Sequence, residues 1–426
     1  MALYVQKYGG SSLATPDQIR AVAERVLRTR RKGNNVVVVV SAMGDTTDHL
    51  VDLANQMHGL PQDREMDMLL ATGEQVSVAL LTMALHAIGA EAVGLTGPQA
   101  GIYTDPVHTK AKILQVIPSR IVENLRKGRI VVVAGFQGLT PEADIATLGR
   151  GGSDTTAVAL ATVLRADRCQ FYKDVPGVFT ANPRIVPAAQ KLDEIAYDEM
   201  LELAGAGSEV LQSRAVEFAK KYGVTLEVLS CLGEEPGTLV KKEVNTMEGI
   251  LIRGIAVDKK QAKLTVVHVP DRPGIAASVF RRLAEAHINV DMIVLNVSDD
   301  GHDNLSFTVP KAEVVRARKI LDKVLVDTGA TELRMNENIA MVSIVGIGMR
   351  SHSGVAFAMF DTLARHGINI ELISTSEIKI AVVIEESRAD EAARALHQAF
   401  GLSRPQKGKA KPKARRPVTT RRRKTP

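Results

Sequence analysis

The stretch that decides the fold is LYVQKYGGSS, residues 3–12, a short apolar strand that runs directly into a lysine, two glycines and two serines. Glycines allow backbone N–H groups to approach an anion closely, and Lys7 adds a point charge at the end of the strand. The spacing is not that of the Walker phosphate loop. Residues 3–12 therefore predict a phosphate site, with a strand that simply ends in a glycine turn as the alternative.

Two further segments have a similar design. Residues 147–156, TLGRGGSDTT, precede a predicted helix over 157–164, and glycines with hydroxyls at a helix N-terminus bind anions. Arg150 is suited to holding a carboxylate with two hydrogen bonds, and Asp154 could orient lysines or a metal. Residues 173–184, KDVPGVFTANPR, follow a predicted strand, and loops at strand ends in α/β folds bind nucleotides.

Short, β-branched strands alternate with helical stretches over residues 1–232. The predicted strands include 36–40, 91–95, 130–134, 170–172 and 225–229. This pattern predicts an α/β fold with a mainly parallel sheet between layers of helices. Residues 233–248, which contain Gly233, Pro236 and Gly237, are predicted to form a polar linker.

An internal repeat with a period of 80 residues follows this linker. Seven of nine aligned pairs are identical, which predicts two copies of one supersecondary unit. The first copy contributes Gly274, Ile275, Ala276, Phe280, Leu283, Ala284, Ile288, Asn289 and Val290. The second contributes Gly354, Val355, Ala356, Phe360, Leu363, Ala364, Ile368, Asn369 and Ile370.

Together with residues 41–47 (SAMGDTT), 72–74 (TGE) and 135–138 (GFQG), these segments resemble the amino-acid kinase superfamily and, within it, the aspartate kinases. The repeat resembles the ACT domain, a ferredoxin-like βαββαβ module that senses amino acids. The resemblance implies an amino-acid kinase domain with a mainly parallel sheet, followed by two α+β ACT domains. The expected extents are 1–232 for the kinase domain, 233–248 for the linker, 249–330 and 331–402 for the ACT domains, and 403–426 for a basic tail.

The implied activity is transfer of the γ-phosphoryl group of ATP to the side-chain carboxylate of L-aspartate, giving 4-phospho-L-aspartate for lysine, threonine and methionine biosynthesis. A carboxylate with a pKa of about 3.9 is already ionised, so no general base is required. The barrier is the approach of two anions, which positive charge and positioning overcome. Mg²⁺ would ride on the nucleotide phosphates, and no dedicated protein metal site is expected.

The resemblance also implies residue roles. Lys7 and Asp154 would be catalytic, with Asp154 ordering the phosphate-binding lysine. Arg150 would clamp the α-carboxylate of aspartate and Glu74 would face its ammonium group, in a site made of Ser41, Thr47, Glu74, Arg150, Gly151, Gly152 and Ser153. The ATP site would contain Lys7, Tyr8, Gly9, Gly10, Lys173, Asp174, Val175, Phe179, Thr180, Ala181, Asn182, Pro183 and Arg184.

In the repeat, the resemblance implies effector sites for end-product amino acids, with lysine and threonine favoured. The first copy would use Asp271, Gly274, Ile275, Ala276, Asn289, Val290 and Asp291. The second would use Val355, Ala356, Asn369, Ile370, Ser376 and Glu377. Leu295 stands where threonine sites of the family often have Gln. The alternative is that both copies only dimerise. At least a homodimer is expected, and an internal start at Met247 could release a separate regulatory subunit.

One position departs from the family. Glu209, in the segment GAGSEVL (205–211), stands where a second phosphate-facing lysine is usual, while Lys173 stands where Thr or Ser is more common. One interpretation is that Lys173 supplies the missing charge and that Glu209 pairs with it or points away. The other is that Lys173 faces solvent and Glu209 lowers activity.

Two competing functions remain open. The same superfamily phosphorylates acetylglutamate, glutamate, UMP and carbamate, although residues 41–47, residues 147–154 and the doubled sensor favour aspartate. A chain with a decayed kinase half would be a non-catalytic sensor, an interpretation that only Glu209 supports. The presence of the charged site residues argues against it; they are Lys7, Arg150, Asp154, Asp174 and Arg184.

Composition sets the remaining expectations. Eleven of the 54 Lys and Arg residues lie in 401–426, which has no Asp or Glu, so residues 1–400 hold 43 basic and 48 acidic side chains. This tail cannot bury enough apolar surface to fold, and polyanion binding is the minor alternative to a solvated tail. Cys169 and Cys231 show no disulfide pattern, no leader is recognised, and no apolar run approaches ~20 residues. A cytoplasmic location without a membrane partner is therefore expected.

Overall fold

An eight-stranded sheet forms the centre of the amino-terminal half. The computed structural model describes residues 1–242, 244, 252–296, 301–347, 349 and 354–403. The strands of the amino-terminal half are β1 (Leu3–Tyr8), β2 (Asn35–Val40), β3 (Ala92–Leu95), β4 (Ile102–Thr104), β5 (Ile113–Val116), β6 (Ile130–Ala134), β7 (Gln137–Leu139), β8 (Ile145–Thr147), β9 (Arg168–Lys173), β10 (Glu194–Ala196), β11 (Leu226–Ser230) and β12 (Thr238–Lys241).

The order in this sheet is β10-β12-β11-β9-β1-β2-β6-β3, and only the β11–β12 pair is antiparallel. β2 and β6 are almost purely valine and isoleucine because helices cover both faces of a parallel sheet. The helices are α1 (Pro16–Arg31), α2 (Thr46–Met57), α3 (Asp63–Ala87), α4 (Ser119–Arg126), α5 (Gly152–Val163), α6 (Tyr197–Gly205) and α7 (Ser213–Tyr222). The predicted parallel sheet is confirmed, and a small sheet of order β5-β4-β7-β8 is added to it.

The predicted linker 233–248 is corrected by β12. This strand inserts between β10 and β11 in the large sheet, so residues 238–241 belong to the amino-terminal half. Gly233, Pro236 and Gly237 form the connection between β11 and β12, and turn residues at a tight connection have the same composition as a linker. Met247 and the tail 404–426 lie outside the described residues.

Helix α3 is long and apolar enough, by length and composition, to cross a membrane. Its Asp67 and Glu74 side chains are nevertheless buried within the fold, and the helix packs against α1, β6 and β8. We therefore interpret α3 as a core helix of the amino-terminal half.

Two four-stranded sheets make up the carboxyl-terminal half. Their order is β15-β16-β14-β17 in the first and β13-β18-β20-β19 in the second. The elements are β13 (Gly254–Asp258), β14 (Gln261–Pro270), α8 (Ile275–Glu285), β15 (Ile293–Asn296), β16 (His302–Pro310), α9 (Val314–Thr328), β17 (Glu332–Asn336), β18 (Ile339–Val345), α10 (Val355–Arg365), β19 (Leu372–Thr375), β20 (Lys379–Glu385) and α11 (Ala389–Ala399).

The sheets divide the chain differently from the expected extents 249–330 and 331–402. β17 pairs with β14 and so completes the first module, whereas β13 crosses to pair with β18 of the second. Edge strands are recruited to close exposed sheet edges, and the repeat itself carries no signal for them. The modules also pack on each other, since Met292 and Val294 share a cluster with Ile339, Met341 and Leu372.

Candidate active site

The predicted phosphate loop lies against the turn that follows β2. β1 and β2 are parallel neighbours, so their carboxyl ends meet at one edge of the sheet. A Cβ on Gly10 would lie 2.8 Å from the Ala42 carbonyl oxygen and 2.9 Å from that of Gly44, so the approach requires glycine. The buried Ser12 hydroxyl has no hydrogen-bond partner within the described part of the chain. The two turns therefore pack closely together at this edge of the sheet.

Three charged side chains meet at the same edge of the sheet. Lys7 Nζ lies 2.6 Å from Asp154 Oδ1, and Lys173 Nζ lies 3.5 Å from the other oxygen, Oδ2. Lys7 comes from β1, Lys173 from the adjacent parallel strand β9, and Asp154 from the first turn of α5. The structure thus brings together the two predicted catalytic residues and adds Lys173 to them.

Burial and charge act in opposite directions on this cluster. Burial alone would raise the pKa of Asp154, but the charges of Lys173 and Lys7 outweigh it and hold that pKa below its ordinary value. Burial lowers the pKa of Lys173, an effect that the Asp154 carboxylate partly offsets and the Lys7 charge reinforces. Asp154 is therefore ionised at neutral pH and draws the two ammonium groups together.

Glu74, on α3, contacts the turn that follows β2. Its Oε1 accepts a hydrogen bond from the Ala42 backbone N–H at 3.1 Å, while Oε2 is buried with no partner among the described residues. Burial raises the pKa of Glu74 to about 7, although the Ala42 N–H and the charge of Lys7 act to lower it. A buried carboxyl with one open oxygen suits a ligand that brings a cation or a donor.

The turn that contains Arg150 is contacted by Gln212 and Arg214. Gly151 has a φ of 72°, and Gln212 fills the place where a Cβ would project, so two constraints favour glycine there. Arg214 donates hydrogen bonds to the carbonyls of Leu148 and Ala111, both at 2.9 Å. Arg150 itself is exposed, and Ser153 packs against Gly135 at the end of β6.

Sequence reasoning missed the buried Asp67. Its carboxylate accepts hydrogen bonds from the Thr147 hydroxyl, from the Thr109 N–H at 3.0 Å and from His108 Nδ1 at 2.8 Å. These contacts fix the strand end that leads into the Arg150 turn. The available signal was its position seven residues before Glu74 on an apolar helix, which places both carboxylates on one face.

The predicted nucleotide loop is partly buried in the second module. Asp174 Oδ2 and the Arg184 guanidinium lie 3.1 Å apart at the exposed end of the loop, and Asn182 accepts a hydrogen bond from the Arg184 N–H. Thr180 and Ala181 are buried instead. Thr180 Oγ1 lies 2.9 Å from His397 Nε2 on α11, so its side chain faces the second module.

Of the two interpretations of Lys173, solvent exposure is wrong. Its side chain is only 18% exposed and contacts Asp154. Glu209 pairs with Lys260, in the connection between β13 and β14, and both of these side chains are largely exposed. Glu209 therefore pairs with Lys260 and not with Lys173.

The predicted effector residues lie at equivalent places in the two modules. Gly274 and Gly354 precede α8 and α10, whose first residues are 80 positions apart. Asp271 is exposed just before the start of α8, whereas Asn289 and Asp291 are exposed beyond the end of that helix, ahead of β15. Val355 is buried in the core of the second module, so it can offer a ligand little beyond its backbone.

Comparison with known proteins agrees with this geometry. The amino acid kinase family model matches residues 2–230, and ACT domain models match 263–325 and 342–400. The aspartokinase of Mycolicibacterium smegmatis is 51% identical over 407 residues, which cover 94% of this chain and 97% of that protein. The chain belongs to the aspartokinase family.

Other members of the aspartokinase family extend this result. The aspartokinase of Pseudomonas aeruginosa is 52% identical over 407 residues, covering 95% of this chain and 99% of the relative. The structure of Escherichia coli aspartokinase III with aspartate and ADP, in the R-state, has a TM-score of 0.80 at 25% identity, over 93% of this chain and 99% of that one. The T-state complex of the same enzyme with lysine and aspartate has a TM-score of 0.70 at 26% identity, with the same coverage.

Proposed function

We propose that this aspartokinase transfers the γ-phosphoryl group of ATP to the side-chain carboxylate of L-aspartate. The observation that carries the proposal is the Lys7–Asp154–Lys173 cluster, a buried group of net positive charge at the end of β1 and β9. Such a cluster lowers the barrier to bringing two anions together. The E. coli relative was solved with aspartate and ADP, which supports the same pair of ligands here.

The roles of the residues follow from their positions. Gly9, Gly10 and Lys7 would receive the phosphate, and the nucleotide would lie along the 173–184 loop. Glu74 would meet the ammonium group of aspartate with its open oxygen, and Arg150 would bind the α-carboxylate with a bidentate pair. Since the acceptor carboxylate is already ionised, no proton has to be removed.

Mg²⁺ enters this proposal as part of the nucleotide. Within the described ranges there is no group of three or more His, Cys, Asp or Glu side chains arranged to hold a metal. The buried carboxylate at the phosphate end, Asp154, is already held by two ammonium groups. ATP phosphate oxygens are ordinary ligands of Mg²⁺ and would coordinate it without a dedicated protein site.

Feedback regulation through the two modules is part of the proposal. The relative solved with lysine in its T-state supports lysine as one effector, and threonine remains the second expectation. Both modules offer a helix N-terminus preceded by glycine, which provides N–H donors to an effector carboxylate. Calorimetry with lysine, threonine and methionine tests this, and no heat with any of them would contradict a sensor role.

A coupled ADP-release assay tests the reaction. ADP should appear with ATP, Mg²⁺ and L-aspartate, and not with glutamate, acetylglutamate or UMP. A chain that releases ADP with glutamate or UMP at the same rate would be another kinase of the superfamily. No release with any acceptor would favour a non-catalytic sensor.

A further inference from the structure

The charge of the buried cluster is not balanced. Two ammonium groups, on Lys7 and Lys173, share the single carboxylate of Asp154, and all three side chains are mostly buried. Glu74 does not restore neutrality, because burial raises its pKa to about 7 and leaves part of it protonated at neutral pH. Buried charge without a partner is costly, so the cluster requires an anionic ligand.

Neighbouring carboxylates are engaged elsewhere. Asp174 follows Lys173 in the chain, but its side chain is half exposed and lies 3.1 Å from the Arg184 guanidinium. Glu209 is held by Lys260 at the surface. The excess positive charge therefore remains at the end of β1 and β9, beside the glycine turn 9–12.

We propose that Lys173 is a catalytic residue that binds the transferred phosphoryl group together with Lys7, with Asp154 holding the two ammonium groups in place. This inference rests on the proposed function. The two cations come from adjacent parallel strands, β1 and β9, and each lies within 3.5 Å of an oxygen of Asp154. Arrangement on two adjacent strands makes both positions rigid, so no reorganisation is needed when charge moves in the transition state.

The step itself is a simple displacement. A side-chain oxygen of aspartate forms a bond to the γ-phosphorus while the bond from that phosphorus to the β,γ-bridging oxygen breaks. ADP leaves with the electron pair of the broken bond. Both lysines remain protonated throughout, and they stabilise negative charge on the phosphoryl oxygens.

Substitution of the lysine separates this role from a structural one. Lys173→Met keeps most of the side-chain volume and leaves the shorter Lys7–Asp154 pair intact. We expect kcat to fall about 100-fold, with a much smaller change in the KM for aspartate. Lys173→Arg keeps the charge and should lose less than about tenfold. Lys32→Met is the matched control, because Lys32 caps α1 at the opposite edge of the sheet, just before β2.

Nucleotide binding gives a readout that does not depend on turnover. If Lys173 faces the γ-phosphoryl group, Lys173→Met should weaken ATP binding about tenfold and leave ADP binding unchanged, as measured by calorimetry. Equal losses for ATP and ADP would overturn the inference, as would a kcat within about threefold of wild type. Inactivity of the wild-type protein with aspartate would instead contradict the proposed function.

The pH profile supplies a third test, which also serves if Lys173→Met fails to fold. Lys173 faces Asp154 on α5 and Lys7 on β1, with Asp174 beside it, and its pKa lies below the ordinary value. Activity should therefore fall on the alkaline side as Lys173 loses its proton. Since arginine stays charged, Lys173→Arg should move this fall to higher pH. An unmoved alkaline limb would overturn the inference.

Discussion

At the scale of single residues, Glu74 is placed where folding and ligand binding make opposite demands. Burial raises its pKa from 4.5 to about 7, so the folded protein retains a proton that the unfolded chain loses first. As pH rises from 4.5 to 7 the free energy of unfolding falls, by roughly 3 kcal/mol in all, and above pH 7 this loss is complete. In the role proposed for Glu74, by contrast, substrate binding needs the ionised carboxylate to meet the ammonium group of aspartate.

Glu74→Gln should therefore stabilise the ligand-free protein at pH 8 and weaken aspartate binding. The amide can still accept the Ala42 N–H, so the gain in melting temperature over wild type should grow as pH rises from 5 to 7. The KM for aspartate should rise about tenfold or more, because a charge-assisted hydrogen bond is lost. Glu65→Gln is the control, since Glu65 lies on the same helix but is half exposed. A gain that does not depend on pH would contradict this account of Glu74.

How far the sequence predicts the site is clearest at single residues. Lys7, Asp154 and Arg150 were predicted as site residues because glycine-rich turns after strands have a recognisable composition. Asp67, Arg214 and His397 were not, because each acts by a contact with a residue distant in sequence. Asp67 has a local signal, since it shares a helix face with Glu74, but Arg214 and His397 have none.

At the scale of elements, the loop between β9 and β10 joins the active site to the second module. Ala181, Val186 and Ala189 belong to the same apolar cluster as Ile255 and Leu396. The Thr180 hydroxyl accepts a hydrogen bond from the Gln190 N–H and contacts His397 Nε2 at 2.9 Å. A movement of α11 would therefore shift the proposed nucleotide loop, residues 173–184, which contacts it directly.

His397→Ala should raise the KM for ATP several-fold, change the KM for aspartate less, and reduce inhibition by effectors. The reason is that the loop loses the contact that fixes Thr180 against α11. His366→Ala serves as the control, because His366 is exposed at the end of α10 and pairs with Glu391 within the module. Steady-state kinetics with and without lysine and threonine measure both effects. Equal ATP kinetics in wild type and His397→Ala would argue against this coupling.

Elements differ in how well sequence predicts them. β2 and β6 were predicted because a run of β-branched residues in a buried parallel strand is unmistakable. β12, β13 and β17 were assigned to a linker or to the wrong module, because their positions depend on which open sheet edge they close. That choice is made by tertiary packing, and a short strand carries no local record of it.

At the scale of the whole molecule, the open edges of the two carboxyl-terminal sheets predict self-association. β15 is an edge strand, and Ile293 and Leu295 on one of its faces are about half exposed. An apolar edge of this kind favours pairing with a second copy. Light scattering should give at least twice the mass of the chain. Ile293→Lys with Leu295→Lys should lower that mass, whereas Val326→Lys, on an exposed face of α9, should not. A monomeric wild-type chain would contradict the prediction.

Near the end of the described residues, Leu402 anchors the chain to the second module. This side chain is buried in the core of the second module, and Ser403 Oγ lies 3.4 Å from His397 Nδ1. Cutting after Gly401 removes a buried leucine, which typically contributes about 1.5–3 kcal/mol. A cut after Ser403 removes residues 404–426 and keeps Leu402.

Deletion of residues 404–426 should leave aspartate phosphorylation and feedback unchanged. It should also remove any retention of the full chain on heparin at low salt, since the eleven basic residues of 401–426 all lie in the deleted part. Deletion after Gly401 should lower the melting temperature, which makes it the comparison. Loss of activity or of assembly on deletion after Ser403 would show that the tail is a structural arm.

The central claim is that the Lys7–Asp154–Lys173 cluster carries out phosphoryl transfer to a carboxylate. Hydroxylamine converts an acyl phosphate to a stable hydroxamate, so trapping the product of ATP and L-aspartate tests the claim directly. Wild type should form one aspartyl hydroxamate for each ADP released. Asp154→Asn should raise the activation free energy of the reaction by roughly 3 kcal/mol. ADP release without hydroxamate, or an Asp154→Asn variant as fast as wild type, would contradict it.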